Sequence, residues 1–183
     1  FCKNYFENLL LLGHELVKGT SEVILGIGGF SADASACLVI DGEVVGAIQE
    51  ERLTRTKHQG GWPHQAIGSL VNMAGIKKTE ITDIAFSYDP WIRLGRRIPY
   101  RLIKLFRYPL ISSMIIIREV MAVSEFVIRL HKLGKETGAR IHYVRHHLGH
   151  VSAAYFTSGF DDSAFYSADA RGEWESCLWG KIE

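Results

Sequence analysis

The sequence predicts an α/β protein, a mixed sheet with helices on its faces. Three observations carry that prediction. Apolar, β-branched runs at 22–28, 35–40 and 43–49 read as strands, and only Asp41-Gly42 separates the last two. An Asp-Gly pair between such runs marks a tight hairpin, because a type I′ turn needs positive φ at both central residues. Beyond residue 61, runs with helical spacing alternate with short strand-like runs. Finally, 183 residues with 47% hydrophobic and 22% charged side chains suffice for a domain with a buried core. That composition excludes a disordered, collagenous or coiled-coil chain.

Taken in order, 5–18 reads as a short amphipathic helix interrupted by Gly13, and 1–21 as an N-terminal helical extension with no assignable chemistry. Strand 22–28 ends at Gly28-Gly29 and opens a three-stranded meander. A polar stretch, 50–61, leads through Trp62-Pro63 into a helix at 64–74, with Ile67, Leu70, Val71 and Ala74 on one face and Gly75 closing it. A strand follows at 81–87. Residues 91–134 read as two helices joined near Tyr108-Pro109. A fifth strand is expected at 140–144 and a helix at 147–156. The runs 163–168 and 176–182 then look like the first two strands of a further unit.

Three meandering strands followed by alternating helix and strand is the order of the ribonuclease-H-like lobe, which occurs twice in actin, sugar kinases and their relatives. On this reading 22–157 is a first lobe and 158–183 begins a second. Sites in that superfold lie in the cleft between lobes, so this chain is expected to hold about half a site. It starts at Phe1 and stops just after a strand, and is read as a fragment that does not turn over alone.

Charge and cysteine usage narrow the function. With 21 Lys+Arg against 20 Asp+Glu, the net charge of +1 argues against a dedicated nucleic-acid binder. Cys2, Cys37 and Cys177 form no C-x-x-C pair and suit the thiols of a reducing compartment, so a cytoplasmic location is expected. The apolar run 108–117 is ten residues long. A spanning helix needs about 20, so no membrane span is expected.

The sharpest chemical signal is His146-His147-Leu148-Gly149-His150. A helix starting there puts His146 and His150 on one face, one turn apart, as a two-histidine metal half-site. Asp169, at the end of the next strand, would complete a set of two imidazoles and a carboxylate that suits Fe(II), Mn(II) or Zn(II). A cluster of histidines can equally serve helix capping. In the charged run 50–58, Arg52, Arg55 and Lys57 are candidate ligands for phosphate or carboxylate. On spacing alone, a solvated strand end with mutually neutralising charges is the better reading. The turn after Asp169, with Gly172 and Glu173, can present backbone N–H groups to phosphate, or can be a simple hairpin connection. Asp33 sits in the equivalent turn of the first lobe, as a metal- or nucleotide-binding cleft would require. The stretch 91–118 is basic and apolar. With Trp91, Tyr100, Phe106 and Tyr108 interleaved, it could lie on a membrane surface or bind an anionic partner. In a chain that is neutral as a whole, the better reading is a helix pair that packs its apolar stripe on the sheet and sends its arginines to water.

Together these segments resemble the carbamoyltransferases of the nodulation-protein and antibiotic-biosynthesis type (NodU/CmcH family). The matching residues are Ile24-Leu25-Gly26-Ile27 with Asp33, Leu38-Val39-Ile40-Asp41-Gly42, and Glu50-Glu51-Arg52-Leu53-Thr54-Arg55 with Lys57-His58. They continue with Trp62-Pro63, Ala66-Ile67, His146-His147 and His150 with Ala153-Ala154-Tyr155-Phe156, and Asp169 with Gly172-Glu173-Trp174. The resemblance implies a two-lobed actin-like domain joined to a C-terminal domain absent here. It implies that carbamoyl phosphate and ATP give a carbamoyl adenylate, whose carbamoyl group passes to a hydroxyl of a sugar, antibiotic or other small-molecule acceptor. It further implies a divalent metal, Fe2+ in the family pattern, held by His146, His150 and Asp169 with one more carboxylate from the rest of the second lobe. Asp33, Arg52, Arg55, Lys57, Gly172 and Glu173 would then bind substrate or nucleotide. The chain departs from the family at Ser31-Ala32-Asp33-Ala34, where histidines and a serine are usual, and at Ala170, where glycine is usual.

Two other functions fit the same fold. A phosphotransferase would bind Mg-ATP at the first-hairpin acid, but hard Mg²⁺ prefers oxygen ligands to a histidine pair. A non-catalytic interaction module would use 91–118 as its docking surface.

Overall fold

A computed structural model describes residues 21–29, 32–92, 99, 103, 105–106, 108–169, 172–173 and 175–182, without the side chains of 111, 112, 115, 118 and 119. The helix expected at 5–18 lies outside them, as do Cys2, Ala170, Trp174 and most cations of the basic run.

The alternating Val, Leu and Ile of β1 (Val23–Gly28) place Val23, Leu25 and Ile27 in the core. β2 (Ser35–Ile40) runs antiparallel to it, and β3 (Glu43–Gln49) antiparallel to β2. The Asp41-Gly42 turn has φ of 51° and 84°, the two positive values that the hairpin signal requires. β4 (Asp83–Phe86) then pairs parallel with β1, and β5 (Arg140–Tyr143) parallel with β4. The sheet order is therefore β3-β2-β1-β4-β5. That order, with its antiparallel meander and two parallel crossovers, is the ribonuclease-H-like lobe expected from the sequence.

One sheet face is closed by α2 (His64–Ala74), through Ala66, Ile67, Leu70 and Val71, and by the C-terminal half of α3 (Pro109–Thr137). Phe126 of α3 stacks on Phe86 at 5.0 Å between ring centres and meets Trp62 at 5.3 Å. α3 begins at the expected Tyr108-Pro109 junction, where proline suits the first helical turn. Its N-terminal half corrects one expectation: Leu110, Met114, Ile117 and Met121 are exposed, so the apolar stripe there does not pack on the sheet.

The polar stretch after β3 also differs from expectation, because it opens as a short helix, α1 (Glu50–Thr54). α4 (His146–Ser158) follows β5, and the antiparallel pair β6 (Ser163–Ala168) and β7 (Cys177–Ile182) forms a separate two-stranded sheet. No helix among the described residues is long and apolar enough to cross a membrane. Cys37 and Cys177 are free thiols, and burial pushes the Cys37 thiol pKa up.

Candidate functional site

Open α/β sheets build their sites outside the carboxyl ends of the parallel strands. Here β1, β4 and β5 end together at Gly28, Phe86 and Tyr143. The chain leaves β5 through Val144-Arg145, and α4 starts at His146 with no side-chain cap of its own. The missing cap comes from elsewhere. Glu173 accepts hydrogen bonds through Oε1 from the backbone N–H of His146 at 2.8 Å and of Asp89 at 3.0 Å. A carboxylate there also complements the positive end of the helix dipole. Glu173 thus clamps the start of α4 to the loop after β4. Near that loop, burial and then the charge of Asp89 push the Tyr143 phenol pKa up.

The first turn of α4 puts His146 and His150 on one face, with ring centres 4.5 Å apart. Asp169, just past β6, reaches the same point. Its Oδ2 lies 2.7 Å from His146 Nε2 and 3.4 Å from His150 Nε2, and the two Nε2 atoms are 3.1 Å apart. A triangle with those edges has a circumradius of about 1.8 Å, less than a metal–imidazole bond of about 2.0–2.1 Å, so one ion can touch all three atoms without moving them. Two imidazole nitrogens and a carboxylate oxygen brought this close together are atoms that one cation could share. The donor set of two imidazoles and one carboxylate suits Fe(II), Mn(II) or Zn(II).

Between the pair, His147 points the other way and is buried. Its Nε2–H donates to the Glu175 carbonyl at 2.9 Å, and its Nδ1 shares a hydrogen bond with the Ser167 hydroxyl at 2.9 Å. The two bonds fix the ring and tie α4 to β6 and to the turn beyond it. Gly172 lies against this ring. A Cβ at 172 would come within 2.9 Å of His147 Cδ2 and 2.8 Å of the Glu175 carbonyl oxygen. Arg145 closes the group with an ion pair to Glu175 at 2.5 Å.

The turn after β1 forms a second group. Gly29 adopts φ of +75°, and a Cβ there would stand 2.2 Å from the Asp33 carbonyl oxygen, so only glycine fits. Asp33 accepts from His58 Nδ1–H at 3.0 Å, and Glu51 accepts from the His58 backbone N–H at 2.9 Å. Glu51 also lies 3.8 Å from the Arg52 guanidinium, which is mostly in solvent. Arg55 caps α1 in the left-handed region, and Lys57 is exposed in the following turn. Among the described contacts, these three cations meet no member of the His146 group.

Glu50 behaves differently from the rest of its charged run. It is buried, and its two carboxylate oxygens accept the backbone N–H groups of Gln65 at 3.0 Å and Ala66 at 2.8 Å. Those are the bonds an N-cap side chain normally takes, and Pro63 at that position has none to offer. Sequence reasoning missed Glu50, His147 and Glu175. For Glu50 the available signal was a helix start, Trp62-Pro63-His64, without an N-cap acceptor. At the opposite end of the sheet, Asp83 pairs with Arg140 at 2.9 Å and with His142 at 2.6 Å. Burial alone would push its pKa up. The bonds from Arg140, His142 and Thr82 and the Arg140 charge together hold it below the ordinary carboxylate range.

With this geometry in place, comparison with known proteins is direct. Residues 23–95, from β1 through the loop after β4, match the family described as carbamoyltransferase N-terminus. The chain is 30% identical over 151 residues to nodulation protein NolNO of Sinorhizobium fredii, covering 81% of this chain and 21% of that protein. Residues 23–95 are a carbamoyltransferase N-terminal segment. A second relative of this carbamoyltransferase segment is the uncharacterized protein sll1178 of Synechocystis, 32% identical over 166 residues, covering 85% of this chain and 27% of that protein. The chain thus spans about a quarter of the length of the curated relatives it matches. Among solved structures, YeaZ from Pseudomonas aeruginosa aligns with a TM-score of 0.47 at 17% identity, over 87% of this chain and 58% of that one. That likeness is too loose to carry an argument beside the strand order itself.

Proposed function

We propose that this chain supplies the first lobe, and with β6 and β7 the beginning of the second, of an O-carbamoyltransferase. Water would cleave carbamoyl phosphate to carbamate and phosphate, and the carbamate oxygen would attack the α-phosphorus of ATP to give a carbamoyl adenylate and release pyrophosphate. A hydroxyl of a sugar or other small metabolite would then take the carbamoyl group, losing its proton and releasing AMP. The observation that supports this reading is the coincidence of the matched segment with the converging Nε2, Nε2 and Oδ2 atoms of His146, His150 and Asp169 at the carboxyl edge of the same sheet.

A divalent metal bound by those three residues would supply Lewis-acid polarisation of carbamoyl and phosphate oxygens. The chain's own residues do the positioning. Glu173 fixes the start of α4, so that His146 and His150 present their Nε2 atoms together. His147, locked between Ser167 and Glu175, holds α4 against β6, which delivers Asp169. At the end of β1, Asp33 and its partner His58 line the turn where nucleotide or acceptor would enter. Arg52, Arg55 and Lys57, exposed in the run after β3, would turn toward phosphate, and Gly172 lets the turn beyond β6 close on the His147 ring.

The test uses the complete protein: ATP–pyrophosphate exchange dependent on carbamoyl phosphate, with metal content measured on the same sample. Exchange that requires bound metal, lost on replacing His146 and His150 by Ala, is the expected result. A folded, metal-loaded protein without exchange would overturn the reading.

A further inference from the structure

The turn after β1 carries chemistry that the His146, His150 and Asp169 cluster leaves unused. Asp33 Oδ1 lies 3.0 Å from His58 Nδ1. An ionised carboxylate only accepts, so Nδ1 holds the shared proton, and the neutral ring keeps a lone pair on Nε2. Among the described residues no group meets Nε2, and the His58 side chain is 78% exposed. A carboxylate that orients an imidazole and leaves its far nitrogen open is the arrangement of a general base and its orienting group.

The surrounding fold holds this pair in place. The His58 backbone N–H donates to Glu51 Oε2 at 2.9 Å, and the Ala34 N–H donates to the Gln59 carbonyl at 2.8 Å. The loop that carries His58 is thereby stitched to the turn that carries Asp33. Asp33 and His58 both hold left-handed backbone, with φ of 52° and 54°. Residues other than glycine rarely do so, and such strain collects where a side chain must be aimed. The turn also adjoins the His146 group. A Cβ on Gly28 would stand 3.2 Å from Ser87 Oγ, and one on Gly149, between His146 and His150, 3.8 Å from Ser87 Cβ. Ser87 thus bridges the end of β1 to the first turn of α4. With β1 and β5 two strands apart, about 10 Å, a substrate held at one group reaches the other.

We propose that His58, oriented by Asp33, is the general base for the acceptor hydroxyl. The proposal rests on the carbamoyl-transfer reading above and adds a residue to its second half. The acceptor oxygen attacks the carbamoyl carbon of the adenylate, and a C–O bond forms. The bond from that carbon to the phosphate oxygen breaks, and its electron pair leaves with AMP. The hydroxyl proton passes to His58 Nε2, and Asp33 stabilises the imidazolium until water takes the proton. His58 is thus a catalytic residue and Asp33 a positioning residue. Adenylate formation involves no acceptor hydroxyl, so that half proceeds without the pair.

The experiment follows two reactions of the full-length protein. One is ATP–pyrophosphate exchange dependent on carbamoyl phosphate. The other is transfer of the carbamoyl group from labelled carbamoyl phosphate to concentrated glycerol, the probe hydroxyl. His58→Ala is expected to lower the transfer kcat about 10²–10⁴-fold, the usual share of a general base, while exchange persists. Added imidazole restores part of the lost transfer, which a merely structural role of His58 would not allow. Asp33→Asn lowers the transfer kcat with little change in the KM for glycerol, and Asp33→Glu recovers part of it. An unchanged melting curve verifies that each variant is folded. Transfer unaffected by His58→Ala, or wild-type exchange without carbamoylated glycerol, overturns the base assignment and leaves the carbamoyl-transfer reading standing. Exchange and transfer lost together in a folded His58→Ala protein assign the pair to nucleotide binding and likewise overturn it. A wild-type protein without exchange fails one step earlier and sinks the reading on which the proposal rests.

Discussion

Replacing Glu50 tests whether the candidate site's frame is held as the structure indicates. Its carboxylate takes two backbone N–H groups at the start of α2, at 3.0 and 2.8 Å, from a position that is 3% exposed. Hydrogen bonds to a charged acceptor contribute about 1.5–3 kcal/mol each, and leaving a buried donor unmade carries a similar penalty. Glu50→Ala removes both acceptors and opens a small void, so a loss of about 3–5 kcal/mol is expected. Glu50→Gln keeps the shape and one acceptor but turns an NH₂ toward the second donor, for about 1.5–3 kcal/mol. Urea titration of the 183-residue chain, followed by far-ultraviolet circular dichroism, reads both values, with Arg52→Ala as an exposed control from the same run. Arg52→Ala is expected to stay within about 0.5 kcal/mol, the range of ordinary surface changes. A Glu50→Ala loss inside that same range would refute the reasoning and return Glu50 to the solvated strand end that its sequence context suggests.

Other consequences follow from the site. His150→Ala or Asp169→Ala is expected to abolish stoichiometric Fe(II) or Co(II) binding measured by metal analysis or absorption, while His58→Ala leaves it unchanged. Gly172→Ala forces a Cβ against His147 and the Glu175 carbonyl; about 1–3 kcal/mol of stability and weakened metal retention are expected, read by thermal melting and equilibrium dialysis. Asp83 has a depressed folded-state pKa, so its contribution is fully present above the unfolded value near 3.9 and is lost as pH falls through the lower folded value. Acid titration of stability is therefore expected to flatten on the low-pH side in Asp83→Asn, and an unchanged acid limb would remove Asp83 from the account.

Much of the architecture was legible before any coordinate. The Asp41-Gly42 hairpin, the apolar strands, the helix closed by Gly75 and the Pro109 helix start each rest on local chemistry that holds whatever the surroundings. The His146 and His150 pair was legible for the same reason, because helix geometry alone places residues four apart on one face. Asp169 needed one assumption more, that β6 would return its end to the start of α4.

What stayed hidden depends on partners distant in the chain. Nothing in Glu50-Glu51-Arg52 tells that the first carboxylate is buried against Gln65 and Ala66 while its neighbours meet solvent; only the packing of α1 on α2 decides it. His146 and His147 are adjacent and chemically identical, yet one faces Asp169 and the other is sealed between Ser167 and Glu175. The same holds for α3, whose apolar residues read as core until the lobe shows which flank meets the sheet. Local propensity and spacing are properties of a few consecutive residues. Burial, capping across segments and the choice of facing side arise only when the elements pack, because each depends on an atom contributed from elsewhere in the fold.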